Sequence, residues 1–460
     1  MTVSERLIVF LRAHDGAAGR GVPPAARHEA LRLMVNQLKA SVGATSHPAI
    51  VALHRFATVD GHGARVAPVL WFGGHVTPEH AALINGALCE VLDFNDTYIP
   101  TFMHATSGVL PAVLAAAAET QCSGADMLDA LALGIEVELA CATILMPSGY
   151  YRGFIPGGLV GAIGGAAACG LLYRLDDKRL SNAIGLAMCT GFGAYEAVGS
   201  DALPTVMGMV ARNGLTAARL AIAGITAPAT AFEGEKGMLS CCSDESPDKI
   251  EAVLSAMGSA WRIFGNTYKT VPTETITHAP IECVLAIRQR TRGRTVARMD
   301  FGVQDIVVGI ADERRARFGA PSSELEARFD LRYCAAAAWT RGHFTLAEMR
   351  EACFTDAEVL DLRDRIHLHA DADHPTFEGA SLRVDFTDGS SERESVPAFL
   401  GTPRNRLSDT QLSDLFRTAA SPLLTQDAIN RVLDAAWSLP QAAGTAAMTD
   451  AAQLPPRELP

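Results

Sequence analysis

Between residues 108 and 224 the chain repeats one theme. Ala- and Leu-rich segments at 108–120, 124–146, 157–174, 178–191 and 205–224 carry a helical apolar pattern, separated by breaks such as Gly191-Phe192-Gly193. Helices this apolar need other apolar helices around them, so the pattern predicts an all-α domain over about residues 5–265. Pro111 sits where a helix can begin, and Asp176-Asp177 places acidic residues just ahead of another. The stretch from Gly157 to Tyr173 is almost uncharged and rich in Gly and Ala. It is marginal in length for a bilayer and reads as a buried helix whose small residues let its neighbours approach closely.

The texture changes between about 266 and 400. Strand-like runs occur at Asp305-Ile306-Val307-Val308, Arg365-Ile366-His367-Leu368-His369 and Ser381-Leu382-Arg383-Val384-Asp385-Phe386. The last alternates with period two and enters Thr387-Asp388-Gly389, a hairpin turn signal. Helical segments near 275–290 and 332–352 accompany them. The expected architecture is mainly α: a large helical domain from 1–267 plus 401–440, an inserted α+β domain over 268–400, and a disordered tail over 441–460.

At 460 residues, with 48% hydrophobic and 20% charged side chains, the chain is long enough for two cores. Net charge is 39 minus 51, or −12, and no basic run is dense enough to bind a polyanion, so nucleic acid is not an expected partner. The ten cysteines lack paired spacing and read as buried thiols of a reducing cytoplasm. No metal-ligand spacing is present and no metal is expected. The start of the chain has no small-residue cleavage site, and neither secretion nor membrane insertion is expected.

Chemistry concentrates at Leu92-Asp93-Phe94-Asn95-Asp96-Thr97-Tyr98 and the following His104. Carboxylates, a hydroxyl and an imidazole within an apolar neighbourhood form either a satisfied structural network or a site that handles protons. An imidazole titrates near neutral pH and suits the second role. Asp93 is placed to orient it, and Asp96 can instead cap the next segment.

These residues also carry a resemblance. Ala82-Leu83-Ile84-Asn85-Gly86-Ala87, the Asp93 to Thr97 run, His104 and Val109-Leu110-Pro111 resemble the MmgE/PrpD family. That family includes 2-methylcitrate dehydratase, cis-aconitate decarboxylase and iminodisuccinate epimerase. Further matches are Ala211-Arg212-Asn213-Gly214-Leu215, Phe232-Glu233-Gly234, Lys269 with Pro272, Thr277-His278, Glu326-Ala327-Arg328-Phe329 with Tyr333, and Gly401 with Pro403 and Asn405. The resemblance implies a homodimer built through the helical domain, a smaller lid domain, and a cofactor-free site in the cleft between them. Asp93, Thr97, His104 and His278 would line that cleft, and Lys269 would meet a substrate carboxylate. Glu274, where many relatives have a small or thiol side chain, becomes an acquired polar group.

Departures narrow the expectation. Where relatives have a Gly-aromatic-His-Pro run, this chain reads Gly153-Phe154-Ile155-Pro156; where they carry Lys-Pro followed by His and Gly, it reads Leu203-Pro204-Thr205-Val206-Met207-Gly208. The tyrosine that decarboxylating relatives place shortly before the Pro321 position is replaced by Arg317 or Phe318. A tricarboxylate needs several cationic or hydrogen-bonding anchors. The substrate is therefore expected to be a smaller or less polar carboxylate or carbonyl compound, with Tyr150, Tyr151 and Arg152 as replacement groups and Tyr151 as an acid or base opposite His104. The reading is a lyase or isomerase that transfers protons. Its rivals are a methylcitrate-type dehydratase, a repurposed cyclase or isomerase, and a non-catalytic ligand-binding dimer.

Overall fold

A computed structural model describes residues 1–16, 19–60, 64–291 and 293–453, the side chains of 59 and 60 excepted. The chain divides into two compact units, Met1–Thr267 with Asp409–Pro460, and Tyr268–Ser408. The fold is mainly α.

The first unit is built around the helix Pro156–Leu172, in which every residue except Leu171 is buried. Around it pack Ala105–Thr120, Gly124–Leu145, Asp177–Thr190 and Ala202–Ile222. Local signals start these helices. Ser123 accepts the main-chain N–H of Asp126, Asp176 that of Arg179, and Thr77 that of His80 at the head of Pro78–Glu90, each satisfying a donor that the first helical turn leaves open. Close approach is set by glycine. A Cβ on Gly164 would lie 2.7 Å from the Gly134 carbonyl oxygen, and one on Gly86 2.8 Å from Gly208 Cα, so neither crossing admits even alanine without a shift. Pro111 lies inside the Ala105–Thr120 helix rather than at its start. Residues 105–117 are all buried, and their packing outweighs the one hydrogen bond a proline removes.

Two charged residues on Gly124–Leu145 are fully buried. Glu136 accepts the main-chain N–H of Arg262 at 2.7 Å and of Ile263 at 3.1 Å, and pairs with the Arg262 guanidinium at 3.2 Å. It thereby caps the short 3-10 helix Arg262–Gly265. Glu138, two residues on, has no hydrogen-bond partner for either carboxyl oxygen among the described residues.

The chain returns to the first unit at Asp409–Ala420, which packs on Pro24–Val42, with Asp409 paired to Arg32. Residues 441–453 correct part of the expected disorder over 441–460. Ala446–Ala451 is a helix, Met448 and Ala452 are buried, and the Ala452 carbonyl accepts the Trp71 N–H at 2.7 Å. A few apolar residues suffice because they meet an existing apolar surface. Residues 454–460 lie outside the described residues.

The second unit holds a four-stranded sheet in the order 366–370, 296–303, 380–386, 391–396. The first pair is parallel and the other two antiparallel. The hairpin turn at 387–390 closes with the Phe386 N–H on the Ser390 carbonyl and Gly389 at φ +84°. Val384, Leu382, Met299 and Phe301 join Ile281, Val284 and Ile287 of the helix His278–Arg290 in one core. The run at 305–308 is not a strand: it opens the helix Asp305–Phe318, and the strand is the preceding Val296–Val303. A short β-branched run does not by itself distinguish strand from helix, and the charged residues from Asp312 to Arg315 continue it helically. The unit extends to Ser408 because the Gly401 carbonyl accepts the Tyr268 N–H at 2.8 Å and the Gly401 N–H reaches the Asn405 carbonyl.

Candidate active site

In the first unit a loop reverses between two helices and sets carboxylates beside an imidazole. Pro78–Glu90 ends and the chain turns with the Asp93 N–H on the Glu90 carbonyl at 2.8 Å. Asp93 and Phe102 both adopt left-handed φ, +48° and +56°, a conformation that costs a non-glycine residue about 1–3 kcal/mol and persists where surrounding structure imposes it. Tyr98 and Met103 exchange main-chain hydrogen bonds at 2.7 and 3.2 Å, which delivers His104 to the start of Ala105–Thr120.

His104 is held by one ring nitrogen. Nδ1 lies 2.7 Å from the Asp96 main-chain oxygen; a carbonyl only accepts, so Nδ1 carries the hydrogen and Nε2 is left to exchange a proton. Nε2 stands 4.0 Å from both Glu90 Oε1 and Asp93 Oδ1, and the ring is 25% exposed. The Thr97 hydroxyl is 3.4 Å from Nδ1. Behind this face the carboxylates are clamped. Asn95 donates to Glu90 Oε2 at 2.6 Å and lies 2.7 Å from the Ser107 hydroxyl. Asp96 accepts from the Gln37 amide at 2.8 Å and the Thr106 hydroxyl at 2.9 Å. Burial raises the Asp96 pKa, with the Thr106 hydrogen bond and the His104 charge opposing it. Asp96 therefore clamps the start of the next helix through Thr106.

The second unit repeats the device. His278, buried at the head of its helix, sets Nδ1 3.2 Å from the Glu274 main-chain oxygen and packs on Phe399 with ring centroids 4.9 Å apart. Thr277 donates to the same carbonyl at 2.8 Å. Lys269 is buried nearby in sequence. The Glu274 carboxylate is engaged by both terminal guanidinium nitrogens of Arg314, Nη2 at 2.8 Å. It thus stands as half of an ion pair rather than as a free acid or base.

The replacement groups fare unequally. Tyr150 joins Phe102 at 5.3 Å between centroids and shares a 3.1 Å hydroxyl hydrogen bond with Tyr195. Tyr151, expected as an acid or base, is 74% exposed, which suits a surface ring. Arg152 is committed to the Cys241 carbonyl and Asp244. Ile155 is buried at the N-terminal boundary of Pro156–Leu172, its N–H on the Gly193 carbonyl. Leu203 lies half-buried in the first turn of Ala202–Ile222. Glu90, Thr106, Ser107 and Gln37 escaped sequence reasoning, and Asn95 entered it only as part of the Leu92 to Tyr98 run, without a role. The available signal was a polar run, Asn36-Gln37 with Lys39, inside a helix buried along nearly its whole second half. Among the described residues no cluster of His, Cys, Asp and Glu could hold a metal ion, no helix is long and apolar enough to cross a membrane, and all ten cysteines are free.

These residues sit within two matched profiles, the MmgE/PrpD N-terminal domain over residues 15–251 and the MmgE/PrpD C-terminal domain over 271–439. The chain belongs to the MmgE/PrpD family. It is similar to cis-aconitate decarboxylase of Homo sapiens, 27% identical over 77% of this chain and 75% of that protein. It is also similar to the Mus musculus enzyme at 26% over 77% and 74%, and to that of Aspergillus terreus at 26% over 81% and 80%. As a member of this family it is an enzyme of the lyase or isomerase class.

Proposed function

We propose that the enzyme moves a proton at carbon next to a carboxylate or carbonyl without a cofactor, and that His104 Nε2 takes or returns that proton. The observation carrying this reading is the 2.7 Å contact between Nδ1 and the Asp96 main-chain oxygen, which leaves Nε2 as the exchanging nitrogen in a partly exposed ring. Asp93 and Glu90 complement positive charge on the ring once it has taken the proton. His278 is assigned the complementary proton, Lys269 the substrate carboxylate and Thr97 a hydrogen bond to substrate. The developing enolate requires such electrostatic help. Aliphatic Ile155, Leu203 and Val206 favour a substrate less polar than methylcitrate.

A second reading is decarboxylation, favoured by the relatives' activity on cis-aconitate. Loss of CO2 leaves a carbanion, and the same imidazole would protonate it. The two readings are tested together by incubating 2-methylcitrate, cis-aconitate and iminodisuccinate with the enzyme in deuterated water. Deuterium entering recovered substrate or an isomerised product, or an alkene formed with loss of water and no loss of CO2, supports the first; deuterium entering only a product formed with CO2 supports the second. If His104→Ala leaves the rates unchanged, the role of His104 is wrong in both.

A further inference from the structure

We infer that Gln37 and Asp96 are positioning residues for His104: the Gln37 side chain fixes the Asp96 carboxylate, and the Asp96 main-chain carbonyl dictates which ring nitrogen of His104 carries hydrogen. The inference rests on the proposed role of His104. Gln37 is fully buried on Pro24–Val42 and reaches Asp96 Oδ1 at 2.8 Å, while Thr106, from Ala105–Thr120, holds Oδ2 at 2.9 Å. Each carboxylate oxygen is thus bound by a neutral donor from a different helix. A buried carboxylate cannot give up such donors without a large penalty, so the Asp96 peptide cannot rotate, and its carbonyl stays 2.7 Å from His104 Nδ1. Gln37 touches none of the groups assigned to the reaction and stands 59 positions from Asp96. Its side-chain amide donates to Asp96 at 2.8 Å and, more weakly, to the Ser107 hydroxyl at 3.4 Å.

Charge around Asp96 comes from several elements. His104 lies on its own loop, Glu138 on Gly124–Leu145, and Cys89 on Pro78–Glu90. Glu90 is linked through Asn95 and Ser107, and Lys39, on the Gln37 helix, lies 3.7 Å from the Phe94 ring. In this setting Gln37→Glu faces one carboxyl with another, and the contact survives only while the pair holds a proton between them.

The test uses the full-length enzyme and three variants. Gln37→Leu is expected to lower kcat about 10- to 100-fold with KM little changed, the scale of a catalytic group misplaced by about 1 Å. Gln37→Glu is expected to approach wild-type kcat at acid pH and to lose it as pH rises, a titration absent from Gln37→Leu. In Asp96→Asn, rotation of the Gln37 amide lets both side-chain contacts re-form, and most of kcat returns. Nitrogen-15 NMR of histidine-labelled protein reads the His104 tautomer independently of turnover: Nδ1–H in wild type and Asp96→Asn, mixed in Gln37→Leu. Wild-type kcat together with an unchanged tautomer in Gln37→Leu overturns the inference. Should that variant fail to fold, a Gln37→Glu pH profile identical to wild type overturns it instead. If His104→Ala keeps full activity the proposed function fails, while the tautomer measurement still decides whether Gln37 and Asp96 set the ring.

Discussion

Glu138 offers a quantitative check on the helical core. Its side chain is fully buried and neither carboxyl oxygen has a hydrogen-bond partner among the described residues. Gly161 is so near that a Cβ there would be 3.2 Å from Oε1. Burial pushes its pKa well above the ordinary 4.5, and the negative charge of Asp96 adds to the effect. The folded chain then keeps a proton that the unfolded chain releases once pH passes the ordinary value. The unfolded state binds fewer protons, so this residue lowers stability as pH rises, by about 1.4 kcal/mol per pH unit until the folded group itself titrates. Glu138→Gln has the shape of the neutral acid and no proton to hold. The stability of the variant minus that of wild type is therefore expected to grow from about pH 5 to about pH 7, at about 1.4 kcal/mol per pH unit while the folded group keeps its proton. Urea unfolding of both proteins across that range, followed by far-ultraviolet circular dichroism, measures the difference. Carboxyls common to both proteins, such as Glu136 and Asp96, largely cancel. A difference that stays flat with pH would refute the reasoning, because it would mean that Glu138 ionises inside the fold as readily as outside it.

Two further perturbations test packing and pairing. Gly164→Ala places a methyl group 2.7 Å from the Gly134 carbonyl oxygen and 2.8 Å from Glu138 Cβ, and is expected to destabilise by about 1–3 kcal/mol in thermal or urea unfolding. Glu136→Leu strips the Arg262 guanidinium, whose side chain is 11% exposed, of its carboxylate, and uncaps the N–H groups of Arg262 and Ile263. A loss of about 3–5 kcal/mol is expected, and a loss below about 1 kcal/mol, the range of exposed pairs, would contradict the buried capping role.

The helical core was legible because its signal is local and redundant. The segments at 124–146 and 157–174 are predominantly apolar, and Ser123 and Asp176 announce helix starts in the residues themselves. The strand at 381–386 and the turn after it were legible for the same reason, since alternation and Asp388-Gly389 agree. Pro111 and the run at 305–308 misled because each is a weak local preference that packing overrides. The tail at 441–453 misled because its few apolar residues gain their value only against Trp71, far away in sequence. Within the site, the motif around Asp93, Thr97 and His104 identified the loop, but motifs name residues and not bonds. That Asp96, through its main chain, holds His104, and that Gln37 from a distant helix holds Asp96, depends on how helices 24–42 and 105–120 converge. Glu274 shows the converse: its chemistry invited a functional role, and Arg314, 40 positions on, occupies its carboxylate.

The claim that His104 Nε2 moves the substrate proton is tested most directly by removing the imidazole and returning it as a solute. His104→Gly is expected to lose deuterium exchange into the substrate that the wild-type enzyme labels, and free imidazole is expected to restore it in proportion to the concentration of its neutral form. Exchange that persists undiminished in His104→Gly without imidazole would contradict the account.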